Sequence, residues 1–206
     1  MQYFVGYGSL VEKQSALMTC PKLQEFDYFW MSGFRRVFGL VAFRSVMNDP
    51  NVLNQKELSA CYIVPDSESS PMLVCSFKIP DADAKELRRR EFEYYEESVS
   101  LKSFDKRSEA RTATVFVGRG SDEAMYAASG RDVVAINQPE YHAIYKGPYF
   151  RDDILPCRRY LVACLEAYAS ISKSALKNFI DTSWLADGRP LLTYMEEADY
   201  SIVKEI

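Results

Sequence analysis

An α+β fold follows from three features of the 206-residue sequence. Strand-like apolar runs bounded by turn residues crowd the stretch up to Gly118, and helical patterning takes over from Leu155. No repeat, low-complexity tract or linker divides the chain, so residues 1–206 read as a single domain.

Composition narrows the function classes. With 48% hydrophobic and 26% charged residues, the chain is long enough to bury a core without disulfides or metals. A formal net charge of -4 argues against a nucleic-acid surface, which carries a basic excess. No apolar leader and no membrane-length apolar run is read, so the expectation is a soluble, cytoplasmic protein without membrane partners. The five cysteines, at 20, 61, 75, 157 and 164, include no Cys-x-x-Cys pair, which fits neither a disulfide frame nor a zinc site; they are expected reduced and buried.

Taken in order, Phe4 to Leu10 begins as a short strand and ends in a turn at Gly8 and Ser9, where successive N–H groups form an anion-binding nest or an ordinary turn. Glu12 to Met18 reads as a helical turn or two, Glu25 to Met31 and Phe34 to Phe43 as strands around a turn at Ser32-Gly33, and Asn48 to Lys56 as a polar loop. Arg35 and Arg36 read as solvated charge at a strand end. Glu57 to Val64 and Met72 to Ile79 flank a turn-rich separator, which predicts a hairpin. A helix is expected next from about Ala82 to Tyr94, capped by Asp81 or Asp83, with Leu87 and Glu91 on one face.

Further strands are expected at Ser98 to Phe104 and Thr112 to Gly118. Gly118-Arg119-Gly120 lacks the third glycine of a dinucleotide fingerprint, since position 123 is Glu, and no helical pattern is read directly after it. From about 120 to 147 the patterning is weak, with Met125 to Ala128 and Val133 to Ile136 read as short strands or turns. The single histidine, His142, reads as structural or exposed and removes most histidine-based schemes. Leu155 and Pro156 open a helix that puts Tyr160, Ala163, Cys164 and Ala167 on one face, and Lys173 to Ile180 forms another. Trp184 to Gly188 is a turn-bound apolar piece, followed by a short acidic tail.

Tyr7-Gly8-Ser9-Leu10, on the first strand, resembles the γ-glutamylcyclotransferase-like family. A second match is Leu87-Arg88-Arg89-Arg90-Glu91, where the family carries a catalytic glutamate in a Leu-x-x-x-Glu setting, followed by aromatics such as Tyr94 and Tyr95. Gly33 to Phe38 and Pro156-x-x-x-Tyr160 agree with the family's second strand and late helix. The resemblance is to a divergent member. It implies a small mixed β-barrel with surrounding helices, an insertion at about 120–147 forming a lid or contact surface, and a substrate cavity at the barrel mouth. It also implies that Tyr7, Gly8, Ser9, Leu10 and Tyr160 bind a small γ-glutamyl substrate and that Glu91 is catalytic. Without the resemblance, Glu91 reads as a solvated glutamate in a charge-rich helix end, and Tyr160 as a core tyrosine.

The implied reaction closes a lactam, 5-oxoproline, when the α-amine of a γ-glutamyl peptide or γ-glutamylamine attacks its own γ-carbonyl. No enzyme nucleophile, metal or organic cofactor is required. One carboxylate serves as base and then as acid, and for that work near neutral pH the expectation is a carboxyl raised by burial. Phe92, where the family often has glycine, and Val11, in place of an aromatic pair, argue against glutathione itself as substrate. The alternatives are a non-catalytic small-molecule or partner-binding protein on the same fold, and a cysteine hydrolase using His142.

Overall fold

A computed structural model describes residues 1–48, 50–54, 56–105, 109–130 and 139–200. Nine strands are described: β1 (Gln2–Gly6), β2 (Gln24–Met31), β3 (Phe34–Val41), β4 (Glu57–Pro65), β5 (Met72–Ile79), β6 (Tyr94–Ser103), β7 (Arg111–Gly118), β8 (Leu155–Pro156) and β9 (Ser183–Leu185). The described helices are α1 (Lys13–Thr19), α2 (Phe43–Asn48), α3 (Asp81–Arg90), α4 (Asp122–Ser129), α5 (Pro139–Ile144), α6 (Arg158–Ile171), α7 (Lys173–Asp181) and α8 (Leu191–Glu197).

Two sheets organise these elements. Strands β1-β5-β2-β6-β7 close into a small barrel, sealed by a parallel contact of Phe4 with Thr114 between β1 and β7. A second sheet has the order β8-β4-β3-β9. The fold is therefore α+β, with a mixed barrel and surrounding helices, as expected. Phe4, Phe29, Phe77 and Val115 pack in one core with Leu161 and Tyr168 of α6 and Phe179 of α7. A second core gathers Val37, Leu58, Tyr62, Phe92, Met125 and Tyr149.

The hairpin expected from β4 and β5 does not form. β4 pairs antiparallel with β3 from Phe34↔Pro65 to Val41↔Ser59, whereas both edges of β5 are taken by β1 and β2. The separator is a crossing between sheets, held where the Asp66 N–H donates to the Gly33 carbonyl at 2.8 Å. Turn-forming residues permit a reversal but do not choose the partner strand. Leu155 and Pro156 likewise belong to a short strand on β4, so α6 begins at Arg158, with Cys157 as its cap residue. Its buried face is Leu161, Cys164, Leu165 and Tyr168, and Ala163 is exposed. Helix α2 follows β3 and takes Phe43 from the expected strand, and the polar loop after it contains a 3₁₀ turn at Pro50–Asn54.

Two helix boundaries also differ from expectation. Helix α3 stops at Arg90, and Tyr94 and Tyr95 enter β6 opposite Gly118 and Val117. Strand pairing overrides helical propensity there. Neither Asp81 nor Asp83 caps α3; both lie inside its first turn, after Pro80. Met125 to Ala128 lies in α4, whose Ser121 side chain accepts from the Ala124 N–H at 3.1 Å and whose first turn carries Asp122 and Glu123. These are helix-start signals, and they put a helix directly after Gly118-Arg119-Gly120. Val133 to Ile136 and the His142 side chain lie outside the described residues.

Candidate active site

The barrel mouth is shaped by the bend that ends β1. The strand stops at Gly6 and the chain turns through Tyr7 and Gly8 into a 3₁₀ turn, Ser9–Val11, closed by a bond from the Val11 N–H to the Gly8 carbonyl of 3.1 Å. Glycine is required twice here. A Cβ on Gly6 would sit 2.8 Å from both Cys75 Sγ and Leu10 Cβ, and one on Gly8 would overlap the Tyr160 hydroxyl.

This bend is held from below by Arg36. The side chain is fully buried, at 0% exposure. Its Nε donates to the Tyr7 carbonyl at 2.8 Å, Nη1 to Thr182 Oγ1 at 2.6 Å, and Nη2 to the Leu73 carbonyl and the Tyr168 hydroxyl, each at 2.6 Å. The rings of Tyr168 and Phe179 lie 5.2 and 5.1 Å from its guanidinium carbon. Among the described residues no carboxylate pairs with it. A buried guanidinium is tolerable only with its donors satisfied, and the acceptors here are mostly neutral carbonyls and hydroxyls. Arg36 thus overturns the reading of this pair as solvated charge; Arg35 alone is partly exposed. The strand alternation held the signal, because position 36 shares a face with Phe34 and Phe38.

A cavity of about 120 Å³ opens above the bend, lined among others by Tyr7, Gly8, Ser9, Leu10, Glu91 and Tyr160. All six residues singled out from the sequence therefore border one space. Leu87, Tyr94, Phe116 and Cys61 complete much of the wall, and sequence reasoning gave none of them a site role. Glu91 reaches it as the residue that ends α3: its N–H bonds the Leu87 carbonyl at 3.2 Å, and its carbonyl accepts from the Tyr94 N–H at 3.2 Å, turning the chain into β6. Glu91 is half-buried. Tyr160 comes from the first turn of α6, its hydroxyl 3.3 Å from Cys61 Sγ.

The electrostatics keep the hydroxyls neutral. Burial first, then the neighbouring Cys61 and Glu91, push the Tyr7 hydroxyl well above the ordinary tyrosine range, and it donates to the Phe116 carbonyl at 3.0 Å. Burial first also raises Tyr94, with Tyr7 and Glu91 adding to it, and raises Tyr160, with Cys164 and Cys61 adding. The Cys61 thiol is raised by burial, against a hydrogen bond with Tyr160 and the charge of Arg36, which lower it. The site therefore offers one carboxylate, neutral hydroxyls, a protonated thiol and the backbone of a tight bend. Among the described residues no group of His, Cys, Asp and Glu fits a metal ion, and no helix is long and apolar enough to cross a membrane.

No protein-family model and no curated protein matches the sequence. Solved structures do. A γ-glutamyl cyclotransferase shares 11% identity over 71% of this chain and 89% of its own, with a TM-score of 0.44. A yeast γ-glutamyl cyclotransferase specific to glutathione shares 16% over 88% of this chain and 94% of its own, with a TM-score of 0.49. YkqA from Bacillus subtilis shares 12%, with a TM-score of 0.49, over 85% of this chain but 51% of its own. The chain is similar to these γ-glutamyl cyclotransferase structures at low sequence identity.

Proposed function

We propose that this chain converts γ-glutamyl peptides or γ-glutamylamines into 5-oxoproline and a free amine, with Glu91 as general acid and base. The observation that carries the reading is the meeting of Glu91, the bend at residues 7–10 and Tyr160 around one cavity. At about 120 Å³ that space is smaller than the ~300–1,000 Å³ of most small-molecule sites, on the scale of one glutamyl group rather than a whole peptide.

The substrate reacts once its α-ammonium has given a proton to solvent. The free amine attacks the γ-carbonyl, forming the ring C–N bond, and the ring nitrogen passes its surplus proton to Glu91. As the tetrahedral intermediate collapses, the bond to the leaving nitrogen breaks and Glu91 returns the proton to it. Backbone N–H groups of the bend would meet the developing oxyanion or the substrate's carboxylate. Enclosure holds the flexible glutamyl chain folded for ring closure, which supplies orientation. Tyr160, neutral and wedged against Gly8, serves as a hydrogen-bond donor at the lid of the cavity.

The test is Glu91→Gln with 5-oxoproline release followed across γ-glutamyl dipeptides, γ-glutamyl-ε-lysine and glutathione. The expected loss is about 10²- to 10⁴-fold in kcat with folding retained. Undiminished turnover would remove Glu91 from the mechanism. Stabilisation by a γ-glutamyl compound with no lactam formed by the parent protein would point to a binding protein instead.

A further inference from the structure

Immediately outside the cavity lies an open groove of about 390 Å³, lined by Arg88, Arg89, Arg119, Tyr95, Glu96 and Ser129 together with Glu91, Tyr94 and Phe116. The last three also line the cavity, so they form the wall between the two spaces. The groove lies within the ~300–1,000 Å³ range of small-molecule sites, whereas the cavity falls below it.

The cations of the groove are not equivalent. Arg88 makes a two-pronged pair with Glu96, at 2.7 and 2.9 Å, and a further bond to Gln2 at 2.8 Å. Arg89 donates to Glu86 at 3.1 Å. Arg119 is half-buried; its Nε is buried and its guanidinium has no hydrogen-bond partner among the described residues. Its backbone is fixed at the end of β7 by a bond from its N–H to the Glu93 carbonyl at 3.2 Å. The terminal guanidinium nitrogens are the ones open to the groove, and a carboxylate is the ligand whose two oxygens match that fork.

We propose that this groove is the leaving-group subsite and that Arg119 binds a carboxylate carried by the departing amine. The inference rests on the cyclotransferase reading above. If Glu91 passes a proton to the leaving nitrogen, that nitrogen lies at the shared wall, and with the glutamyl part filling the small cavity its substituent extends into the groove. In a γ-glutamyl amino acid the carboxylate sits one carbon from the leaving nitrogen. A plain γ-glutamylamine brings nothing for Arg119 to hold. The preferred class is therefore γ-glutamyl compounds whose leaving amine is an amino acid or peptide with a free carboxylate.

The experiment compares γ-glutamyl-alanine with γ-glutamyl-alaninamide, which differ in that charge, on the parent protein, Arg119→Gln and Arg119→Lys. The readouts are kcat/KM for 5-oxoproline release and thermal stabilisation by each compound. The parent is expected to favour the acid by about 10- to 100-fold, the worth of a charged hydrogen bond. In R119Q the kcat/KM for the acid falls toward that for the amide, chiefly through KM, and R119K recovers part of the preference. A parent that treats both compounds alike, or an R119Q that slows both by one factor, overturns the subsite and leaves the cyclotransferase reading intact. Lactam release from neither compound overturns that reading and the subsite with it.

Discussion

Arg36 and Arg119 are the same residue type within reach of the same cavity wall, and they do opposite things. Arg36 is fully buried and spends four hydrogen bonds on a hydroxyl of α6, Thr182 and the carbonyls of Tyr7 and Leu73. Arg119 stands half-buried at the open side, with no such partner among the described residues. The first builds the site and the second is available to whatever enters. Satisfaction of donors, not residue type, separates an architectural cation from a binding one.

Removing Arg36 should have the largest effect. Arg36→Met would strand the carbonyls of Tyr7 and Leu73, which keep only the single Tyr168 hydroxyl proton between them. A loss of about 3–5 kcal/mol in denaturant unfolding is expected from several unsatisfied buried groups. Arg36→Lys should recover little, because a point charge cannot span four partners on separate segments. If R36M unfolds like the parent, the contrast between the two arginines collapses.

Next comes the bend itself. Gly8→Ala forces a methyl onto the Tyr160 hydroxyl, and a cost of about 1–3 kcal/mol is expected. In a Tyr160→Phe background the cost should shrink, a coupling measurable by a double-mutant cycle on unfolding. A third measurement asks whether burial keeps the thiols around the bend protonated, against the Arg36 charge in the case of Cys61. Burial pushes the Cys75 thiol up to about 12 and raises Cys61 as well, so both stay protonated near neutrality and begin to ionise only as pH climbs toward those raised values. Native protein should resist iodoacetamide at pH 8, and all five buried cysteines should react once it is unfolded. Fast alkylation of Cys61 with loss of activity would favour thiol chemistry over Glu91. The smallest effect belongs to Arg119→Gln, which should move stability by no more than about 0.5 kcal/mol and act on substrate choice alone.

Much of the site was legible because its residues cluster in short local patterns. Tyr7 to Leu10 reads as a strand running into a turn and Leu87 to Glu91 as part of a helix, and it is their resemblance to γ-glutamylcyclotransferase-like motifs that singled them out. Other features were hidden for physical reasons. The separator between β4 and β5 carries turn chemistry that suits a hairpin equally well, and only the competition of β1 and β2 for the edges of β5 excluded it. The helix at Asp122 was missed because its apolar pattern is weak, although Ser121 and the acidic first turn announced it. Cys61 and Tyr94 come from elements distant in sequence from the bend, and nothing local ties them to it.

The sequence by itself determined that the chain alternates strand and turn early, turns helical late, and carries one glutamate and one glycine-rich bend in a recognisable setting. Local propensity, periodicity and turn chemistry act over a few residues, and they decide such things. Only the tertiary structure decided that Arg36 is buried, that β4 leaves the barrel, and that Glu91 stands on a wall between an enclosed cavity and an open groove. Those outcomes depend on which distant groups compete for the same hydrogen bonds and the same buried space, and that competition exists only once the chain is closed on itself.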